Sequence, residues 1–523
     1  MADKTKFIED INNGYTFKGG SITLGGAMID KECQTNSLVK IPMKMMNRHG
    51  LIAGATGSGK TKTLQILAEQ LSANSVPVLL MDIKGDLSGI AASSGGHPKI
   101  DERHEKIGIP FEAGTSPVEF LTLSDEKGAR LRATVTEFGP VLFSKILDLT
   151  DTQSGIVAVA FKYCDDKSLP LLDLKDFRKV LQFMTGEGKD EVQGEYGRMS
   201  TASTGAIIRK IVELEQQGAD IFFGERSFDV DDLTRLDENG KGMVSILRLT
   251  DIQDKPKLFS TFMLQMLAEV YASFPEEGDL EQPKLVIFID EAHLVFQNAS
   301  KALLEQIEAI VKLIRSKGVG LFFVTQNPTD IPDAVLGQLG MKIQHALRAF
   351  TAKDRKAIKL SAQNYPDSDY YDVEELLTEL GIGEALVTVL NEKGIPTPLA
   401  HTLLRAPQSR MDVLADKEIN AIIKKSVIVD KYNEEIDRES AYEVLNEKIE
   451  LSQEKEHQAE LKKQQEKAEK ATTQSRRKEK SVIEKVTSSS AGKTIIREVT
   501  RGLLGALGIR TSSRRRRSKN SWF

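Results

Sequence analysis

A short apolar run, Leu51-Ile52-Ala53, passes directly into Gly54-Ala55-Thr56-Gly57-Ser58-Gly59-Lys60-Thr61, which has the spacing Gly-x-x-x-x-Gly-Lys-Thr. No other stretch restricts the fold as much, because this loop works only between a buried strand and the start of a helix. Glycine at 54, 57 and 59 lets backbone N–H groups turn inward around a polyphosphate. Lys60 then reaches the β- and γ-phosphates, and the Thr61 hydroxyl takes a Mg²⁺ coordination position. Composition and spacing over 61–71 predict the helix, with its N-terminus facing the phosphates. The expected nucleotide contacts are Gly54, Ala55, Thr56, Gly57, Ser58, Gly59, Lys60 and Thr61, with ATP and Mg²⁺ as the expected cofactors.

A second apolar run, Lys284 to Ile289, ends in Asp290-Glu291-Ala292-His293. A buried strand ending in Asp-Glu is the Walker B arrangement. Asp290 is the expected second Mg²⁺ ligand, and Glu291 the expected base for the water that attacks the γ-phosphate. His293 reads as either a capping and packing residue or a catalytic one. A third buried strand, Gly318 to Thr325, ends in Gln326-Asn327-Pro328. A neutral amide there can hydrogen-bond the attacking water or the γ-phosphate, so Gln326 is the third expected catalytic residue, while Asn327 can simply turn the chain. The run Val76 to Ile83 predicts one more buried strand. Asp82 and Asp86 at its end are either acids on the nucleotide side or caps of an ordinary turn.

The two motifs lie about 230 residues apart, where one βαβ unit takes roughly 30. A large insertion follows from that distance. Helical spacing over 129–137, 141–149, 155–163, 169–185 and 201–217 makes it mostly helical, with Arg198, Arg209 and Lys210 as solvated or nucleic-acid-facing basic positions. Before the P-loop, 21–24 and 38–41 read as β-like pieces that form a small hairpin against the core. The expected division is a short β segment at 1–48, an ATPase core at 49–100 and 236–410, an insert at 101–235, a charged helical extension at 411–485 and a basic tail at 486–523.

Composition adds bounds. A chain of 523 residues with 40% hydrophobic content can bury a large core in two or more units. Its net charge of -5 places any nucleic-acid contact in local patches rather than in a global field. Cys33 and Cys164 are too few for a disulfide framework or a zinc cluster, which fits a reducing compartment. The N-terminus lacks an apolar signal segment and no run reaches membrane-spanning length, so the expected location is cytoplasmic.

The order of the P-loop, Lys84-Gly85-Asp86-Leu87-Ser88-Gly89, Ile289 to His293 and Thr325 to Pro328 resembles the HerA-like branch of the FtsK and HerA P-loop ATPases. Arg132 to Pro140 and Leu147 to Gly155 carry the resemblance further, over about residues 15–410, and are most similar to bacterial HerA-like proteins of the YjgR type. The resemblance implies a RecA-like core; with the helical insert and the helical or disordered C-terminal tail read from spacing and composition, the expected fold is α/β on a mainly parallel sheet. It also implies a homo-oligomeric ring, commonly a hexamer, that moves DNA by ATP hydrolysis, with Arg315, Arg348 or Arg355 as the arginine offered to a neighbour. Two features depart from the family pattern. The 45 or so residues before the P-loop are fewer than a full N-terminal β-barrel needs, and Asn327 stands where DNA-pumping motors often carry Arg.

The tail reads either as a contact for a protein partner, nucleic acid or an anionic lipid surface, through the amphipathic stretch 495–505 and the basic run Arg514 to Arg517, or as a flexible solubilising tail. Two functions stand at this point: a Mg²⁺-dependent ATPase that translocates or remodels DNA, and an ATP-dependent switch or scaffold that binds a protein partner and moves nothing.

Overall fold

The computed structural model describes residues 3–278, 280–297, 301–434, 436 and 438–479. Among the described residues, twelve strands make one sheet: β1 (Ser21–Ile29), β2 (Glu32–Pro42), β3 (Gly50–Ala53), β4 (Val78–Asp82), β5 (Val118–Thr122), β6 (Ala129–Arg130), β7 (Val244–Arg248), β8 (Leu285–Ile289), β9 (Val319–Thr325), β10 (Met341–Gln344), β11 (Glu384–Thr388) and β12 (Ala400–Leu404). Their order is β2-β1-β12-β11-β10-β3-β9-β8-β4-β7-β5-β6. From β10 to β6 every neighbouring pair is parallel; from β10 back to β2 every pair is antiparallel. The α/β expectation of a mainly parallel sheet carrying a P-loop is what this architecture shows.

Strands β3, β4, β8 and β9 are buried along their whole lengths. Such burial needs continuous apolar runs rather than alternation, which is why these four stood out in the sequence. The helix Lys60–Ala73 packs Leu64, Leu67 and Leu71 into the same core as Ile52, Leu80, Phe288 and Phe322. Phe288 and Phe322 face each other from adjacent strands, ring centroids 4.9 Å apart.

The hairpin expected before the P-loop is β1–β2. It extends the sheet through β12, with Gly25 opposite Leu404. An N-terminal helix, Lys4–Gly14, was not legible in the sequence. Asp3 caps it by accepting from the N–H groups of Thr5 and Lys6, and only Phe7 and Ile11 of its residues are buried. Two anchors one turn apart give too thin a stripe to read as a helical period.

Within 101–235, β5 and β6 join the sheet before the helical run begins. Spacing predicts a helix over 129–137, but Ala129 and Arg130 pair with Leu121 and Thr122, and the helix starts at Val135. Glu137 sets that start by accepting from the Thr134 N–H at 2.7 Å. Helices Val135–Ile146, Asp151–Lys167, Leu174–Thr185, Lys189–Tyr196 and Thr201–Glu215 follow. Phe143 packs edge-to-face on Phe161 and Phe177, tying three of them together.

Residues up to Asn446 form one compact unit and a second begins at Glu447. The described part of the second is the remainder of the helix Ala441–Glu479, which is rich in Glu, Lys and Gln. The amphipathic stretch 495–505 and the Arg514 to Arg517 run lie outside the described residues. Among the described residues no helix is long and apolar enough to cross a membrane.

Candidate active site

In an open parallel sheet, loops at the carboxyl ends of the strands face a common crevice. Here four adjacent strands, in the order β3-β9-β8-β4, deliver to that edge the P-loop, Gln326, the pair Asp290-Glu291, and the turn from Lys84 to Leu87.

The P-loop is held at both flanks. Gly54 N–H donates to the Thr325 carbonyl at 3.2 Å, and Ala55 N–H to the Ala346 carbonyl at 2.7 Å. Gly54 adopts φ +151°, and a Cβ there would sit 2.5 Å from Cβ of His345; Gly57 has φ +77° and open space around it. Lys60 is buried, its ammonium donating to the carbonyls of Gly54 at 2.6 Å and Ala55 at 3.3 Å. Burial, with the Lys84 charge added, lowers the Lys60 pKa, and the Glu291 and Asp290 charges oppose that.

Below the loop, the His345 ring locks the first turn of the P-loop helix to the sheet. Its Nε2 lies 2.9 Å from the Thr63 hydroxyl and its Nδ1 lies 3.0 Å from the Glu384 carbonyl. A carbonyl can only accept, so Nδ1 carries the proton and Nε2 accepts from Thr63. Burial pushes the His345 pKa down to about 4, with the Lys60 charge adding to it.

The turn after β4 is organised by Asp82, whose carboxylate accepts from the N–H groups of Gly85 (2.7 Å), Asp86 (3.2 Å) and Leu87 (3.1 Å). Asp82 is therefore the cap of the turn, with its pKa pushed up to about 7 by burial despite the Leu87 N–H, the Asp86 charge adding to the rise. Asp86 points the other way. Its Oδ2 lies 3.3 Å from the Thr61 hydroxyl, and its Oδ1 is buried without a hydrogen-bond partner.

Asp290 and Glu291 are 4% and 5% exposed. Burial raises the Asp290 pKa to about 6, opposed by Lys84 and reinforced by Glu291. Glu291 sits at φ +46°, a left-handed conformation that glutamate rarely takes. Its Oε1 is ion-paired with the Lys84 ammonium, and its Oε2 lies 3.1 Å from Nδ1 of His293. Burial works against the Lys84 charge, but the contact with Glu291 and the Asp290 charge outweigh it and raise its pKa.

Thr61, Asp86 and Asp290 offer hard oxygen donors, one of them an orphaned buried carboxylate oxygen, at the foot of the P-loop. That donor set fits Mg²⁺, which characteristically takes one or two carboxylates and completes its shell with water and phosphate oxygens. Among the described residues no cluster of three His, Cys, Asp or Glu is arranged to hold a metal by itself.

Gln326 is exposed at the end of β9 and lines a cavity of about 570 Å³ with Ala55, Thr56, His293, Arg348 and Phe350. Asn327 instead caps the next turn: its side chain accepts from Thr329 N–H at 3.2 Å, and its own N–H donates to Asp330. Of the three arginines, Arg348 lines this cavity and donates to the Thr378 carbonyl at 3.0 Å; Arg315 and Arg355 are exposed, in the turn Ile314–Lys317 and on the helix Ala352–Ala362. A larger cavity of about 830 Å³ lies by the helix Leu174–Thr185, but its Arg130 and Arg178 are paired with Asp125 and Glu215, and it contains none of the P-loop residues.

Lys84 is the functional candidate that sequence reasoning missed. Its partner Glu291 follows β8, and nothing local to 84–89 says that β4 lies beside β8.

The family model described as helicase HerA-like C-terminal matches residues 28–514. Similar curated proteins include the DNA double-strand break repair helicase HerA of Sulfolobus acidocaldarius, 24% identical over 392 residues, 71% of this chain and 68% of that protein. The same-named helicase of Saccharolobus solfataricus is 25% identical over 388 residues, 72% and 68% of the two chains. Among solved structures, the bacterial conjugative coupling protein TrwB aligns with a TM-score of 0.49 at 15% identity, covering 78% of this chain and 94% of that one. VirB4 of Thermoanaerobacter pseudethanolicus aligns with a TM-score of 0.49 at 16% identity, covering 75% and 98%.

Proposed function

The chain belongs to the helicase HerA-like C-terminal family, and from that premise we propose that it is an ATP hydrolase that applies the energy of hydrolysis to DNA, as a translocase or remodelling enzyme working in a ring of like subunits. The observation that carries the reading is the convergence of Lys60, Thr61, Asp86, Asp290 and Glu291 on one edge of the sheet. The relatives named as DNA helicases support DNA as the polymer.

In the mechanism, the P-loop amides and Lys60 stabilise charge on the β- and γ-phosphates. Thr61 and Asp290 would hold Mg²⁺, with Asp86 beside Thr61. When bound, the cation neutralises charge on the phosphate oxygens and helps hold them in line. Glu291 takes a proton from the attacking water, and Gln326 orients that water or contacts the γ-phosphate. Because the net charge is slightly negative, contact with DNA falls to local basic groups rather than to the molecule as a whole.

Steady-state ATP hydrolysis, with and without double- and single-stranded DNA and with Lys60→Ala as blank, tests the reading. Lys60-dependent turnover that DNA stimulates, less so as salt rises, is the expected result. Turnover that depends on Lys60 yet ignores DNA at every salt concentration would transfer the function to a protein-directed switch.

A further inference from the structure

We propose that Lys84 is a positioning residue that withholds Glu291 from the attacking water, so that breaking the Lys84–Glu291 ion pair is a required step of each hydrolysis cycle. The inference rests on the ATPase reading given above and adds to it a residue outside both nucleotide motifs.

A general base must present a carboxylate oxygen to the water it deprotonates, within hydrogen-bond reach. Glu291 does not. Both of its oxygens are sealed from solvent, and neither makes a hydrogen bond of good geometry. They face the Lys84 ammonium on one side and His293 Nδ1 at 3.1 Å on the other. The backbone at Glu291 is held at φ +46°, so this carboxylate orientation is maintained against a conformational preference. Lys84 has freedom to leave: its side chain is 36% exposed, at the start of a turn rather than on a strand.

The turn that carries Lys84 is also coupled to the nucleotide end of the site. Asp82 accepts three successive N–H groups and makes 85–87 a rigid unit. That unit places Asp86 3.3 Å from the Thr61 hydroxyl. One short turn therefore touches Thr61 through Asp86 and Glu291 through Lys84. A change of partner at Thr61 moves the same backbone that holds Lys84 on the base, which gives the ion pair a physical route to open when the site fills.

The experiment measures kcat and KM for ATP hydrolysis without DNA, ATP affinity by direct binding, and thermal unfolding, for the full chain and for Lys84→Ala, Lys84→Gln and Lys84→Arg, with Lys60→Ala as blank. Lys84→Ala and Lys84→Gln are expected to raise kcat roughly fivefold while leaving ATP affinity within about a factor of two. Lys84→Arg, which restores a cation, brings kcat back towards the wild-type value. A kcat for both neutral variants at or below wild type overturns the proposal, whether it comes from lost phosphate contact, seen as weakened ATP binding, or from lost stability, seen in the melting curve. Wild-type turnover no higher than that of Lys60→Ala removes the ATPase reading itself and the latch with it; wild-type turnover above that blank, with no gain at Lys84, removes the latch alone.

Discussion

Glu291 is where the proposed chemistry is most exposed to test by a single atom change. Glu291→Gln keeps the shape of the side chain but loses its charge and cannot take a proton. ATP binding is expected to persist while hydrolysis falls by about two orders of magnitude or more, the scale of general-base loss, and single-turnover hydrolysis alongside nucleotide binding measures both. Two P-loop glycines make a second residue-scale prediction. Gly57→Ala meets only the strain of a left-handed alanine, about 1–2 kcal/mol, because the space around it is open. Gly54→Ala drives a Cβ into His345, whose ring is fixed by two hydrogen bonds, so its melting temperature is expected to drop well below that of Gly57→Ala. Lys60, Thr61, Asp290 and Glu291 were legible in the sequence because each motif is local: backbone geometry fixes which neighbours of a buried strand reach its carboxyl end. Lys84 and His345 were not, since each acts on a residue far away in the chain, Glu291 after β8 and Thr63 on the P-loop helix, and only the folded topology makes them neighbours.

At the scale of elements, the P-loop helix is joined to β10 and β11 through one neutral histidine, and the joint should respond to acid. His345 has its pKa lowered from the free value of 6.5 to about 4 in the folded chain. The unfolded chain therefore binds the proton first, so the stability this histidine contributes is complete above 6.5 and drains away as pH falls from 6.5 to about 4. At pH 5 the loss amounts to about 2 kcal/mol. Asp82 and Asp290, with raised pKa values, act in the opposite sense over an overlapping range, so wild-type stability alone will not isolate the effect. Comparing wild type with His345→Gln does: the gap between their melting temperatures is expected to narrow as pH falls from 7.5 to 5, and a constant gap would assign the histidine no role in acid sensitivity. Legibility also varied by element. Strands buried on both faces announce themselves as apolar runs, whereas β6 exists only because β5 offers it an edge, and its two residues carry no pattern of their own.

For the whole molecule, the sheet joins parts of the chain that the sequence separates. β1 pairs with β12, and Arg405 N–H donates to the Leu24 carbonyl at 2.8 Å, so within the sheet the N-terminal hairpin joins the P-loop core through a strand that follows it by almost the length of the core, while Thr23 also pairs directly with Gln70 of the P-loop helix. No local pattern could foretell that closure, because a strand's partner is chosen by the finished topology. The hairpin's inward residues, Ile22, Leu24, Val39 and Ile41, are fully buried. At about 1.5–3 kcal/mol each, upper estimates against an extended chain, they are worth something close to the whole net stability of a typical domain. A chain beginning at residue 44 is therefore expected to be insoluble or unfolded, with no Lys60-dependent hydrolysis. A chain ending at residue 446 is expected to behave differently: every described strand and every candidate site residue lies before that point, inside one compact unit. Its Lys60-dependent hydrolysis without DNA should match that of the full chain, measured side by side at equal concentration of folded protein. Loss of hydrolysis by this shorter chain would mean that residues after 446 supply something the site needs; hydrolysis kept with DNA stimulation lost would assign the polymer contact to them instead.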